Sequence, residues 1–130
     1  MKKVAFTGIA ALVALLFVVA SSALASGGKG GRGIVKSGKC SGSSHWKLKA
    51  KADDGRIETE FEVDQNRVGK RWHVILKRNG SVAFNAVRKT TAPSGSFEVR
   101  RLLAGGAGTK IAATARSLQT GETCSAALTL

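Results

Sequence analysis

Between Lys47 and Asp64 the chain alternates strictly. Lys47, Lys49 and Lys51 are interleaved with Leu48, Ala50 and Ala52, then comes Asp54-Gly55, then Glu58, Glu60 and Glu62 interleaved with Ile57, Thr59, Phe61 and Val63. Only a β-strand sends successive side chains to opposite faces. Asp-Gly suits the left-handed dihedrals of a two-residue hairpin turn. Folding about that pair sets Lys51 against Glu58, Lys49 against Glu60, Lys47 against Glu62 and His45 against Asp64. On the other face Ala52, Ala50, Leu48 and Trp46 meet Ile57, Thr59, Phe61 and Val63. A slip of one residue would bury the lysines, so the register is strongly specified. The charged stripe reads as the solvated side of a hairpin; each exposed pair contributes only a few tenths of a kcal/mol.

The same period of two continues along the rest of the chain, with no helical pattern. Seven runs, at residues 44–52, 56–64, 70–77, 81–90, 96–103, 109–118 and 123–130, stand between breaks rich in Gly, Asn, Asp, Ser and Thr. For the third and fourth runs we expect a three-residue turn, Arg78-Asn79-Gly80, pairing Leu76 with Val82, Val74 with Phe84 and Trp72 with Ala86. For the last two we expect a Thr120-Gly121 turn aligning Ile111, Ala113, Ala115 and Ser117 with Leu130, Leu128, Ala126 and Cys124. In the fifth run Phe97 and Val99 point inward but Arg101 should follow them, so a bulge is expected at Arg100-Arg101. Tight hairpins and longer crossovers together predict one sheet of runs one, two and five and another of runs four, three, six and seven.

That arrangement, an all-β, seven-stranded antiparallel β-sandwich over residues 40–130, resembles the fibronectin type III form of the immunoglobulin-like fold. The resemblance is architectural and implies no function by itself. The strings "WKLKAKADDGRIETEFEVDQNR", "APSGSFEVRRL" and "ARSLQTGETC" are in addition similar to small secreted actinobacterial proteins of uncharacterised function. This second resemblance implies export and the fold, and transfers no catalytic or binding residue.

Export is also read from the residues. Lys2 and Lys3, an apolar run from Val4 to Ala20 and a small-residue exit at Ala23-Leu24-Ala25 form a secretory leader, residues 1–25. After cleavage no further segment is expected to hold the protein in a membrane. Residues 26–39, "SGGKGGRGIVKSGK", combine six glycines with Lys29, Arg32, Lys36 and Lys39, and are expected to be a flexible basic arm. The only two cysteines, Cys40 and Cys124, are expected to form a disulfide in an oxidising compartment. Removing Lys2 and Lys3 with the leader takes the formal charge from +13 to +11. Such a charge attracts polyanions at long range. Export argues against nucleic acid and for anionic cell-envelope polymers or an acidic protein, with a secreted or envelope-associated location.

Catalytic machinery is sparse. Four of the eight acids sit in the ladder and two in its turn, the two histidines His45 and His73 fall in different sheets, and no metal-ligand spacing occurs. We therefore expect no enzyme, no cofactor and no metal. Trp46 and Trp72 share the inward phase with Leu48, Phe61, Val74 and Phe84, which makes them core residues. What remains is the outer face of the second sheet, where small and apolar side chains are rimmed by Arg71, Lys77, Lys89, Lys110 and Arg116. The candidate binding residues are Arg71, His73, Ile75, Val87, Lys89 and Arg116. The function expected is non-catalytic binding; the alternatives are a secreted hydrolase inhibitor or a small-ligand carrier. The breaks at 65–69, 91–95 and 119–122 form a second candidate surface at the disulfide end.

Overall fold

Alternation this regular has one structural outcome, strands. The computed structural model describes residues 33–130. The expected leader and the first seven residues of the basic arm, 26–32, lie outside the described residues. The strands are β1 (Ile34–Lys39), β2 (His45–Asp53), β3 (Arg56–Asp64), β4 (Arg71–Arg78), β5 (Ser81–Lys89), β6 (Ser96–Ala104), β7 (Lys110–Ser117) and β8 (Thr123–Thr129). They form two four-stranded antiparallel sheets, β1-β2-β3-β6 and β5-β4-β7-β8. Between them Leu48, Ile57, Phe61 and Val63 of the first sheet meet Trp72, Val74, Leu76 and Ile111 of the second, all fully buried. The Trp72 indole N–H is satisfied by Gln65 Oε1 at 2.9 Å, as a buried tryptophan requires. Trp46 is half-buried against the same core.

The sheet allocation expected from the sequence holds, but the strand count is eight and not seven. β1 comes from the segment expected to be a flexible arm, so the sandwich begins at Ile34 and not at Cys40. Its pairing sets Ile34 against Ala50 and Gly38 against Trp46. Gly38 is there for contact: a Cβ at that position would lie 2.7 Å from the Trp46 ring. What looked like a spacer composition is in part the clearance for an indole.

The first hairpin forms in the expected register, from Asp53 against Arg56 to His45 against Asp64. Asp54 and Gly55 take φ of 54° and 79°, the dihedrals of a primed turn. The other two hairpins depart from expectation. Asn79-Gly80 makes a two-residue turn pairing Arg78 with Ser81, and an irregularity between Leu76 and Lys77 then moves the register so that Leu76 meets Phe84 and Val74 meets Ala86. The apolar face survives, while Val82, expected inside, is 58% exposed. In the last hairpin Ile111 pairs with Leu128 and Ala115 with Cys124, two residues off the expected register, because residues 118–122 are all spent on the connection. There Ser117 N–H donates to Glu122 O and Gly121 N–H to Ser117 O.

The expected bulge at Arg100-Arg101 is absent: β3 and β6 pair without interruption from Arg56–Ala104 to Asp64–Ser96. Arg101 stays in the inward phase, opposite the buried Thr59. β6 and β5 are sheet edges that lie beside each other. There the Arg101 guanidinium lies over the Phe84 ring at 4.6 Å, and Arg88 of β5 over the same ring at 5.1 Å. The aliphatic stems cover the core while the charged heads reach water.

The opposite seam is closed covalently. Cys40 and Cys124 are bonded, 84 residues apart in sequence. In the chain-entropy picture a loop of that length is worth roughly 4–5 kcal/mol. A second set of bonds holds the same corner. Ser41 N–H donates to Thr123 O, and Thr123 N–H to Ser41 Oγ. The Glu122 carboxylate accepts from Gly42 N–H, Ser44 N–H and Ser44 Oγ at 3.0, 2.9 and 2.9 Å. Ser44 is fully buried, so loss of that carboxylate strands a buried hydroxyl and an N–H.

Two outcomes are expected. Glu122→Ala should lower urea stability by about 1–3 kcal/mol, and Glu122→Gln by less, since one carboxamide oxygen still accepts. Arg101→Val, which removes an inward charge from an edge strand, should sediment faster than wild type at equal concentration; an unchanged sedimentation coefficient would mean that this edge is protected by something else.

Candidate functional site

The two outer faces differ in how their charge is balanced. On the first sheet a column of Glu58, Glu60 and Glu62 on β3 faces Lys51, Lys49 and Lys47 on β2. On its other side Arg100 of β6 reaches Glu60 at 2.9 Å and is hydrogen-bonded to Glu98. The Glu98 hydrogen bond, followed by the field of Glu60, raises the Arg100 guanidinium above its ordinary pKa. That face is internally compensated.

The second sheet is not. Its four strands carry Arg71, Lys77, Arg78, Arg88, Lys89, Lys110 and Arg116 and not one Asp or Glu. Both ion pairs among the described residues belong to Arg100. Five of these seven, all but Arg78 and Arg88, share the outward phase.

Strand pairing arranges the outer face in rows. Lys89 lies beside Arg71, and Leu118 N–H donates to Arg71 O, so these three stand at the disulfide end. The next row is Val87, His73, Arg116 and Thr123; the next is Asn85, Ile75, Thr114 and Ser125; then Lys77, Ala112 and Ala127; and last Lys110 and Thr129. Neighbours in a row are about 4.8 Å apart and successive rows about 6.7 Å. The six residues expected from the sequence, Arg71, His73, Ile75, Val87, Lys89 and Arg116, thus occupy three adjacent rows of one face. His73 Nε2 is hydrogen-bonded to Asn85 Oδ1, which fixes the imidazole across the β4–β5 boundary. Val87 is 43% and Leu118 53% exposed.

The face is concave in its middle. A groove of about 330 Å³ is bounded by His73, Ile75, Thr114, Arg116, Thr123 and Ser125. Its origin is side-chain length: β8 presents Thr, Ser and Ala outward, while Arg116, His73 and Ile75 stand taller beside it. The face was legible from alternation, but the groove was not. With the expected β7–β8 register Arg116 would have faced Ser125; the true pairing sets Thr123 beside Arg116 and Ser125 beside Thr114. The missing acids could have been found by counting along the four runs.

Of the loops expected to cluster at the disulfide end, 65–69 and 91–95 lie together, with Gln65 N–H donating to Gly95 O, while 119–122 is bound instead to residues 41–44 through Glu122. Thr90, almost fully buried, donates its hydroxyl to Arg67 O and accepts from Lys70 N–H, and Gly69 N–H donates to Thr90 O. His45 sits on the outer face of the first sheet, remote in topology from His73. Among the described residues no three His, Cys, Asp or Glu side chains are grouped so as to hold a metal, and no helix is long and apolar enough to cross a membrane. Compared with protein-family models, with curated proteins and with solved structures, the chain finds no match.

The outer face carries no visible structural burden, which gives an expected contrast. Val87→Thr and Arg116→Gln should each move unfolding stability by less than about 0.5 kcal/mol. Val74→Thr, on the inward phase of the strand beside Val87, should cost about 1–3 kcal/mol; urea melts of the three variants check it.

Proposed function

We propose that this chain is an exported, non-catalytic binding domain that holds an anionic polymer against the outer face of the β5-β4-β7-β8 sheet. One observation carries the reading: the strands of that sheet have seven Lys or Arg and no Asp or Glu. Uncompensated cations repel one another and weaken the folded state, so their concentration on one sheet is expected where a partner neutralises them. Their spread favours a polymer over a single small anion. From Lys89 and Arg71 at one end to Lys77 is three row steps, about 20 Å, too far for one anionic group to bridge.

The Cys40–Cys124 bond is consistent with an extracellular protein, where envelope polymers with repeated negative charges are the natural partners. For the fold itself we infer a fibronectin type III-like sandwich. In this reading β2, β3 and β6 oppose β5, β4, β7 and β8 as in that architecture, and β1 is an added edge strand. An acidic protein, or a hydrolase inhibited by one of the loops, is the competing partner; the acid-free sheet speaks for the polymer, because its charge is distributed along a face and not gathered on a loop.

The test is retention on an immobilised polyanion across a salt series, using the mature protein. Each Lys or Arg near an anionic surface is worth about 1 kcal/mol, so Arg71→Ser with Lys89→Ser should weaken low-salt binding about 30-fold. Lys47→Ser with Lys49→Ser, in the compensated ladder, should change it about threefold or less. Equal losses for the two pairs would place the contact elsewhere, and absence of binding at low salt would sink the proposal.

A further inference from the structure

The polyanion reading rests on charge alone, but the groove has a chemistry of its own. We infer that the groove between β4, β7 and β8 is a subsite for a hydroxyl-bearing anionic unit, the repeat of a polyol-phosphate or acidic-sugar polymer. Its oxyanion sits at Arg116, its carbon skeleton lies on Ile75, and its hydroxyls meet Thr114, Thr123 and Ser125. This inference rests on the polyanion reading and narrows it to a class of polymer.

Three features point there. The volume, about 330 Å³, lies at the small end of the range for ligand sites and suits one repeat, not a folded partner. Of the three hydroxyls that line it, none has a side-chain hydrogen bond to another described residue. Each hydroxyl donates one hydrogen bond and accepts two. A bare polyphosphate or polycarboxylate, having only acceptors, would use the donors and leave those acceptors to water. A ligand that carries hydroxyls would use both. No carboxylate stands on this sheet, so a ligand's hydroxyl protons find their side-chain acceptors in the threonine and serine oxygens, with Nδ1 of His73 beside them when Nε2–H is given to Asn85 Oδ1. Arg116 supplies a planar fork that fits carboxylate or phosphate in two parallel hydrogen bonds. It stands in the row next to Thr114 and Ser125 and in the same row as Thr123, so one repeat unit lying in the groove has the fork and the hydroxyls within its length.

Four polymers of matched charge test this at fixed salt: polygalacturonate and poly(glycerol phosphate), which carry hydroxyls, and polyglutamate and polyphosphate, which do not. Wild type should bind the hydroxylated pair about tenfold more tightly, and preference between the two members of that pair distinguishes a carboxylate from a phosphate source. Thr114→Val with Ser125→Ala should erase the preference, weakening the hydroxylated polymers more than polyphosphate, which loses only the donors. Amide shifts of unaltered protein give a second readout, with hydroxylated polymer perturbing Thr114, Arg116, Thr123 and Ser125 beyond the shifts that polyphosphate causes. Equal affinity for all four polymers, or a double variant that weakens all four alike, would overturn the subsite and leave the polyanion reading standing. Selective binding of polyglutamate would overturn it in favour of an acidic protein. Binding of none would overturn both.

Discussion

Two open sheets laid face to face leave four strand edges with unpaired peptide groups, and keeping those edges from pairing with other chains is the constraint on which this structure turns. Three of the four, β1, β5 and β6, place a cation in the inward phase: Lys36 opposite Leu48, Arg88 opposite Trp72 and Arg101 opposite Thr59. An incoming strand would have to bury that charge. The fourth edge, β8, has no charge at all, and it is the one occupied at its start by Ser41 and fastened by Cys124. Edge protection and seam closure are therefore one problem with two solutions, a pair of guanidiniums over Phe84 on one side and a disulfide corner on the other.

The same division explains what the sequence could tell. The β2–β3 register is legible because three independent signals agree: alternation, opposite charge at every outward pair and a turn dipeptide of the right kind. The β7–β8 register is not, because a shift of two residues leaves every inward side chain inward. Alanine, serine and threonine are too alike in size to penalise the wrong partner, and only the hydrogen bonding of residues 117–122 decides it. The bulge expected at Arg101 was inferred from the rule that charge stays out of cores, yet at an edge the inward phase ends in solvent, so the rule does not bind there. β1 was hidden by glycine, whose abundance reads as flexibility although Gly38 serves a close contact.

For the candidate site the consequence is uneven. Which residues share the outer face depends only on phase, and phase survives both register errors. Which residues are neighbours depends on register, so the groove and its hydroxyl lining became visible only with the true pairing of β7 and β8.

The two outer faces then act together through their contrast. Had the eight acids been dispersed, each cation would have had a nearby counter-charge, and the molecule would have been uniformly and weakly positive. Instead six acids stand on strands of the first sheet and none on the second. The positive field of the second sheet is thus set against a near-balanced face across a low-dielectric core. Such a molecule has a direction in its charge as well as a magnitude. A polyanion draws it in with the β5-β4-β7-β8 face leading, within about a Debye length of 8–10 Å at ordinary salt. The Lys–Glu ladder, which looked at first like the most distinctive surface in the sequence, contributes by being neutral: it keeps the opposite face from competing for the same ligand.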